Sequence, residues 1–132
     1  MEGLTSIRSR LGPKDTMDRL QAEISAKGMK VFARIDHAAG AAEAGLELRP
    51  TELIIFGNAR GGTPLMRSAQ TVGIDLPLKA LVWEDAAGTT WLSYNEPSGI
   101  AHRHGVANAE PVVSKMRGAL SAMARRITEN AA

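Results

Sequence analysis

The chain has 132 residues, 44% hydrophobic and 23% charged, which fits one globular domain and excludes both two ordinary domains and global disorder. Its 16 Lys and Arg stand against 14 Asp and Glu, too small an excess for the dense basic face of a dedicated nucleic-acid binder. With no cysteine there are no disulfides, thiolate metal ligands or thiol nucleophiles, and a reducing, cytoplasmic setting is expected.

In chain order, Leu4 to Ser9 alternates weakly and reads as a short edge strand, stopped by Gly12-Pro13. Pro13 suits the first turn of a helix, where its missing N–H costs nothing. Met17, Leu20 and Ile24 follow at helical spacing, and Gly28 is a natural stop, so a helix is expected from Lys14 to Lys27. Lys30 to Asp36 is a strand with Phe32, Arg34 and Asp36 on one face and Val31, Ala33 and Ile35 on the other. The Ala-rich stretch Ala38 to Gly45 is a short helix beginning near Asp36 or His37.

Thr51 to Gly57 is the clearest strand. Leu53, Ile54, Ile55 and Phe56 form a continuous apolar run, the mark of a strand covered on both faces. Asn58 to Gly62 reads as a loop, Thr63-Pro64 as an N-cap and first helical residue, and Leu65 to Gln70 as a short helix. Gly73 to Pro77 breaks the chain. Leu78 to Glu84 is a strand, apolar on both faces apart from Lys79. Asp85-Ala86-Ala87-Gly88 is a hairpin turn, and Thr89 to Asn95 the returning strand. A helical piece is expected around Ile100 to His104. Val113, Met116, Leu120, Met123 and Ile127 then mark a long amphipathic helix from Glu110 to Thr128, with Glu129 to Ala132 frayed. Strands joined by short connections favour antiparallel pairing. The fold class is α+β, a mostly antiparallel sheet of about five strands with two long helices on one face.

The N-terminus lacks the apolar stretch of a signal peptide, and no run approaches the roughly 18 apolar residues of a membrane helix. No membrane association is expected.

Phe32-Ala33-Arg34-Ile35-Asp36-His37-Ala38, Leu48-Arg49-Pro50-Thr51-Glu52, Phe56-Gly57-Asn58, Gly62-Thr63-Pro64-Leu65-Met66 and Gly73-Ile74-Asp75-Leu76-Pro77-Leu78-Lys79 resemble the blocks of the DUF302 family, in its order and spacing. The resemblance implies a β-α-β4-α sandwich like that of the TATA-binding protein, on one domain spanning 1–132, and implies no settled activity. A typical member has Pro-Lys after the Asn. Here Ala59-Arg60 keeps the positive charge without the rigid ring.

The residues from Gly57 to Thr63 are the leading site candidate. Asn58, Arg60, Gly61, Gly62 and Thr63 join a buried strand to a helix, where glycines admit a ligand to the backbone and helix N–H groups attract anions. Arg60 adds a charge, and Lys79 is expected at the same sheet end, with Tyr94 and Asn95 near it. The plainer alternative is a tight turn capped by Thr63. No Gly-Lys-Ser/Thr follows, so this is not a P-loop.

Asp36-His37 supplies a carboxylate beside an imidazole, the raw material of a general base or ligand. The competing reading is a helix cap, at the sheet end opposite Arg60. His102 and His104 read as solvated, and no metal or other cofactor is expected. The expected protein is a non-catalytic, small-ligand-binding homodimer whose ligand is a small anion. An enzyme using His37 is the alternative, and a nucleic-acid partner is disfavoured for want of an aromatic stacking platform.

Overall fold

The computed structural model describes residues 1–129. The expected fraying of Glu129 to Ala132 falls mainly outside the described residues; Glu129 itself is helical. Five strands, β1 (Leu4–Ser9), β2 (Lys30–Asp36), β3 (Thr51–Gly57), β4 (Leu78–Glu84) and β5 (Thr90–Asn95), form one sheet in the order β1-β5-β4-β3-β2. Every neighbouring pair is antiparallel. The helices are α1 (Pro13–Ala26), α2 (His37–Glu43), α3 (Ala59–Ser68), α4 (Pro97–Arg103) and α5 (Glu110–Glu129), with a 3₁₀ turn at Gln70–Ile74.

The alternation of the central strands decides the layers. Ile54, Phe56, Ala80, Val82, Leu92 and Tyr94 face one side of the sheet and are buried. Met17, Leu20 and Ile24 of α1 and Leu120, Met123 and Ile127 of α5 close over them, as their spacing requires. Each such side chain contributes about 1.5–3 kcal/mol on burial. A second, smaller core joins Leu65 of α3, Val72 of the 3₁₀ turn and Ile100 of α4 to Val112 and Met116 of α5.

At the far end of the sheet, Arg34 Nε donates to Glu52 at 2.6 Å, Nη1 to Gln21 at 2.8 Å and Nη2 to Asp18 at 3.0 Å. This fork ties β2 and β3 to α1. The expected facing of β2 holds for Arg34 and Asp36 against Ala33 and Ile35, and fails at Val31. A bulge between Val31 and Ala33 puts Val31 opposite Phe56 and Arg34 opposite Ile54, on the helix side. Phe32, the extra residue, is left 49% exposed.

Among the described residues, no helix layer with buried side chains lies on the other sheet face. Alternation places Ala33, Ile35, Leu53, Ile55, Leu81, Trp83 and Trp91 there, since their strand neighbours pack under the helices. The α2 helix has no buried residue. The α3 helix packs on α5 instead.

Candidate functional site

The turn after β3 differs from its sequence expectation in one respect that matters. Helix α3 starts at Ala59, not Pro64, and its N-cap is Asn58, not Thr63. Asn58 Oδ1 accepts the Gly61 N–H at 2.7 Å, and the Asn58 carbonyl accepts the Gly62 N–H at 3.2 Å. Two glycines and an internal proline are poor helix formers. The cap and the buried Leu65 hold the helix together regardless. Position 59 is thus the first helical residue, where the proline of typical DUF302-like sequences fits without loss. Gly57 enters the turn at φ 154°, a backbone angle that side chains disfavour.

This first turn forms one wall of a cleft of about 1080 Å³ between α3, α5 and the start of β2. Asn58, Arg60, Gly61, Gly62 and Thr63 all line it. The opposite wall is α5, through Val112, Lys115, Met116, Ala119 and Met123. Met29, Phe32, Leu76 and Leu78 close its ends. A Cβ on Gly61 would meet Asn58 Oδ1 at 3.3 Å and Met116 Cε at 3.5 Å; one on Gly62 would meet Leu76 and Met66 at 3.6 Å. The glycines therefore keep this wall thin. Arg60 and Lys115 are the charged residues of the lining, which includes no Asp or Glu. Both are exposed, and neither has an ion-pair partner among the described residues.

Two residues grouped with this loop from the sequence lie elsewhere. Lys79 pairs with Ile55 and points to the outer sheet face, because Leu78 and Ala80 on either side of it pack into the core. Tyr94 is buried under the helices, and burial pushes its hydroxyl pKa up. His37 sits at the opposite end of the sheet, exposed, as the first residue of α2. Asp36 is occupied as the N-cap of that helix, accepting the Ala39 N–H at 2.9 Å.

His104 corrects the reading of a solvated histidine. Its side chain is 9% exposed, with Nε2 at 2.5 Å from Asp75 Oδ2 and Nδ1 at 3.0 Å from Thr71 Oγ1. Arg103 Nη1 donates to the same carboxylate at 2.9 Å. The His104 hydrogen bond, then the charge of Arg103, hold the Asp75 carboxyl below its ordinary value. A hydroxyl–imidazole–carboxylate line has the composition of a nucleophilic triad. None of the three residues lines the cleft, and Asp75 is shared with Arg103. The cluster clasps the 3₁₀ turn to the end of α4. Sequence spacing could not reveal it, because Asp75 and His104 lie 29 residues apart. No group of three or more His, Asp or Glu placed to hold a metal occurs among the described residues.

A family model described as "Domain of unknown function DUF302" matches residues 5–123. The chain belongs to the DUF302 family. A DUF302 protein of Bacillus stearothermophilus, described as uncharacterized and conserved, has a crystal structure that superimposes with a TM-score of 0.85. That likeness covers 96% of this chain and 99% of the other at 19% identity, and shows the shared fold.

Two curated relatives, each 49% identical over 113 residues, are named fluoride-specific ion channels: FluC 1 of Brucella suis and FluC 2 of Brucella melitensis. The match takes in 86% of this chain but only 44% and 42% of theirs, so the DUF302 chain spans less than half the length of these relatives. No helix among its described residues is long and apolar enough to cross a membrane.

Proposed function

We propose that this DUF302 domain is a binding module for a small anionic ligand, held in the cleft between α3 and α5. One observation carries the reading: among the described residues, the cleft's charges are two exposed cations, Arg60 and Lys115, set on otherwise uncharged walls. Positive charges without counter-charges, beside low-dielectric walls, favour an anion more than they would in open water. The amides at the nose of α3 contribute less than expected from the sequence, since Asn58 occupies those of Gly61 and Gly62. Side-chain charge therefore carries the recognition. Lys79 and His37 lie outside this site, and an enzyme built on His37 gains no support from an exposed imidazole whose neighbouring carboxylate is a helix cap.

The module works as a homodimer in this proposal, with two copies joined through the outer sheet face. Support comes from the apolar row Ile35, Leu53, Ile55 and Leu81, over which no helix among the described residues buries a side chain.

A second reading follows from the Brucella relatives, whose names concern fluoride. The domain would then serve a fluoride-channel system as an accessory part, and fluoride would be its anion.

Thermal shift with phosphate, sulfate, fluoride, acetate and longer carboxylates tests both. At least one anion should raise the melting temperature of wild type but not of Arg60→Ala. Arg60→Ala alone should leave stability nearly unchanged, since an exposed charge in this position is rarely structural. Equal responses of wild type and variant to every anion, or none in either, would end the anion reading. A fluoride-only response would favour the second.

A further inference from the structure

We infer that the ligand is a single-chain fatty acid, its carboxylate drawn to the exposed cations of the lining, Arg60 and Lys115, and its acyl chain laid against the apolar walls of the cleft. This rests on the anion site proposed above and names the chemistry of its ligand. Four of the protein's six methionines, Met29, Met66, Met116 and Met123, line the cleft. Methionine is unbranched and polarizable, and shapes itself to a flexible apolar guest better than leucine or isoleucine does. Leu76, Val112 and Leu120 complete these walls. The Asn58 side-chain oxygen is already taken by the helix cap. A sugar or nucleotide would therefore set many hydroxyls against thioether and aliphatic groups, each left without a partner at a cost. A fatty acid joins one anionic group to an apolar chain, as the cleft joins two exposed cations to apolar walls. The volume, about 1080 Å³, lies just above the usual range of small-molecule sites, roughly 300–1,000 Å³, and far exceeds what phosphate or acetate needs.

The test is calorimetric titration of the delipidated full chain with dodecanoate, dodecanol, acetate and phosphate, at concentrations below micelle formation. Dodecanoate should bind saturably, one per chain, and about tenfold or more tighter than dodecanol. Acetate and phosphate should bind far more weakly than dodecanoate. Replacing both Arg60 and Lys115 with Ala should reduce dodecanoate to the level of dodecanol. Ala119→Trp, at an exposed position of α5 that lines the cleft, should fill it and abolish both while the helical circular dichroism is retained. Undiminished dodecanoate binding by Ala119→Trp would overturn the inference. So would acetate or phosphate binding as tightly as dodecanoate and depending on Arg60, though the anion site would then stand. Equal binding of dodecanol and dodecanoate, indifferent to Arg60 and Lys115, would remove the anion site as well, and no binding of any probe would remove both.

Discussion

Asn58 and Thr63 are both plausible caps by residue type, and only one is used. An N-cap needs extended backbone and a side-chain oxygen that reaches the amide two or three residues on. Asn58 has both, with φ −144°, ψ 152° and the bond to Gly61. Thr63 lies inside the helix, where its hydroxyl has no such amide to serve. Replacing Asn58 with Ala should therefore cost about 1 kcal/mol of stability, while Thr63→Ala costs clearly less. Urea denaturation of the two variants measures the difference directly. Equal losses would mean that the helix starts where Pro64 suggests. The sequence pointed to Pro64 because proline favours a first turn and Gly61-Gly62 disfavour helix. Those local preferences lost to a cap and to the packing of Leu65, neither of which a propensity can weigh.

Elements with a strong period were legible, and those held by tertiary contacts were not. The strands and the two long helices stand within a residue or so of their expected bounds, since alternation and the three-four spacing report burial directly. The 3₁₀ turn and the early start of α3 were hidden, because the second core that shapes them draws on residues distant in sequence. The bulge at Phe32 was hidden too, and it brought Val31 to the face of Arg34. The cleft could be seen only as a loop with an arginine, as its opposite wall comes from α5.

The clasp between the 3₁₀ turn and α4 belongs to this scale as well. Asp75 is 19% exposed and its folded carboxyl lies below the ordinary 3.8, so the ionised form is the one that native contacts stabilise. That stability is fully present above pH 3.8 and is lost as pH falls below it, through the lowered folded value. Relative to wild type, Asp75→Asn should cost about 1–2 kcal/mol at neutral pH, the worth of a charged hydrogen bond less some solvent screening. The gap should close in acid. Denaturant midpoints measured from neutral pH down past 3.8 follow it. A gap that does not narrow would show that the Asp75 charge is not what holds the clasp.

At the scale of the molecule, the unfinished surface is the outer face of the sheet. A five-stranded sheet with helices on one side is a two-layer sandwich, and such a layer is stable in water when its open face is polar. Here the centre of that face is aliphatic, and both tryptophans of the chain lie on it, stacked with centroids 6.2 Å apart and planes at 25°. Aromatic residues are thus brought together by cross-strand pairing, where residue spacing alone shows no platform. Yet their indole N–H groups bond within the chain, to Ser93 and Asp85. Trp83 stands between Thr51 and Trp91, and Trp91 between Trp83 and Arg8, while the aliphatic centre of the face lies beside them at Leu53, Ile55 and Leu81, so a second apolar sheet suits that centre. Strands spaced by about 4.8 Å, rising about 3.3 Å per residue, make the face on the order of 20 Å square, or roughly 400 Å² per copy. That is about half of a standard interface side, so the predicted dimer dissociates on dilution instead of being permanent. Light scattering should give a mass near twice 14.0 kDa at high concentration, falling toward 14.0 kDa in dilute solution. Tryptophan emission should shift to the red over the same range as Trp83 and Trp91 meet water. Leu81→Asp should produce the monomer and the red-shifted emission at every concentration, with the anion-induced melting shift intact, because the cleft lies on the other side of the sheet. A wild-type mass fixed at 14.0 kDa throughout would mean that this face stays open in solution.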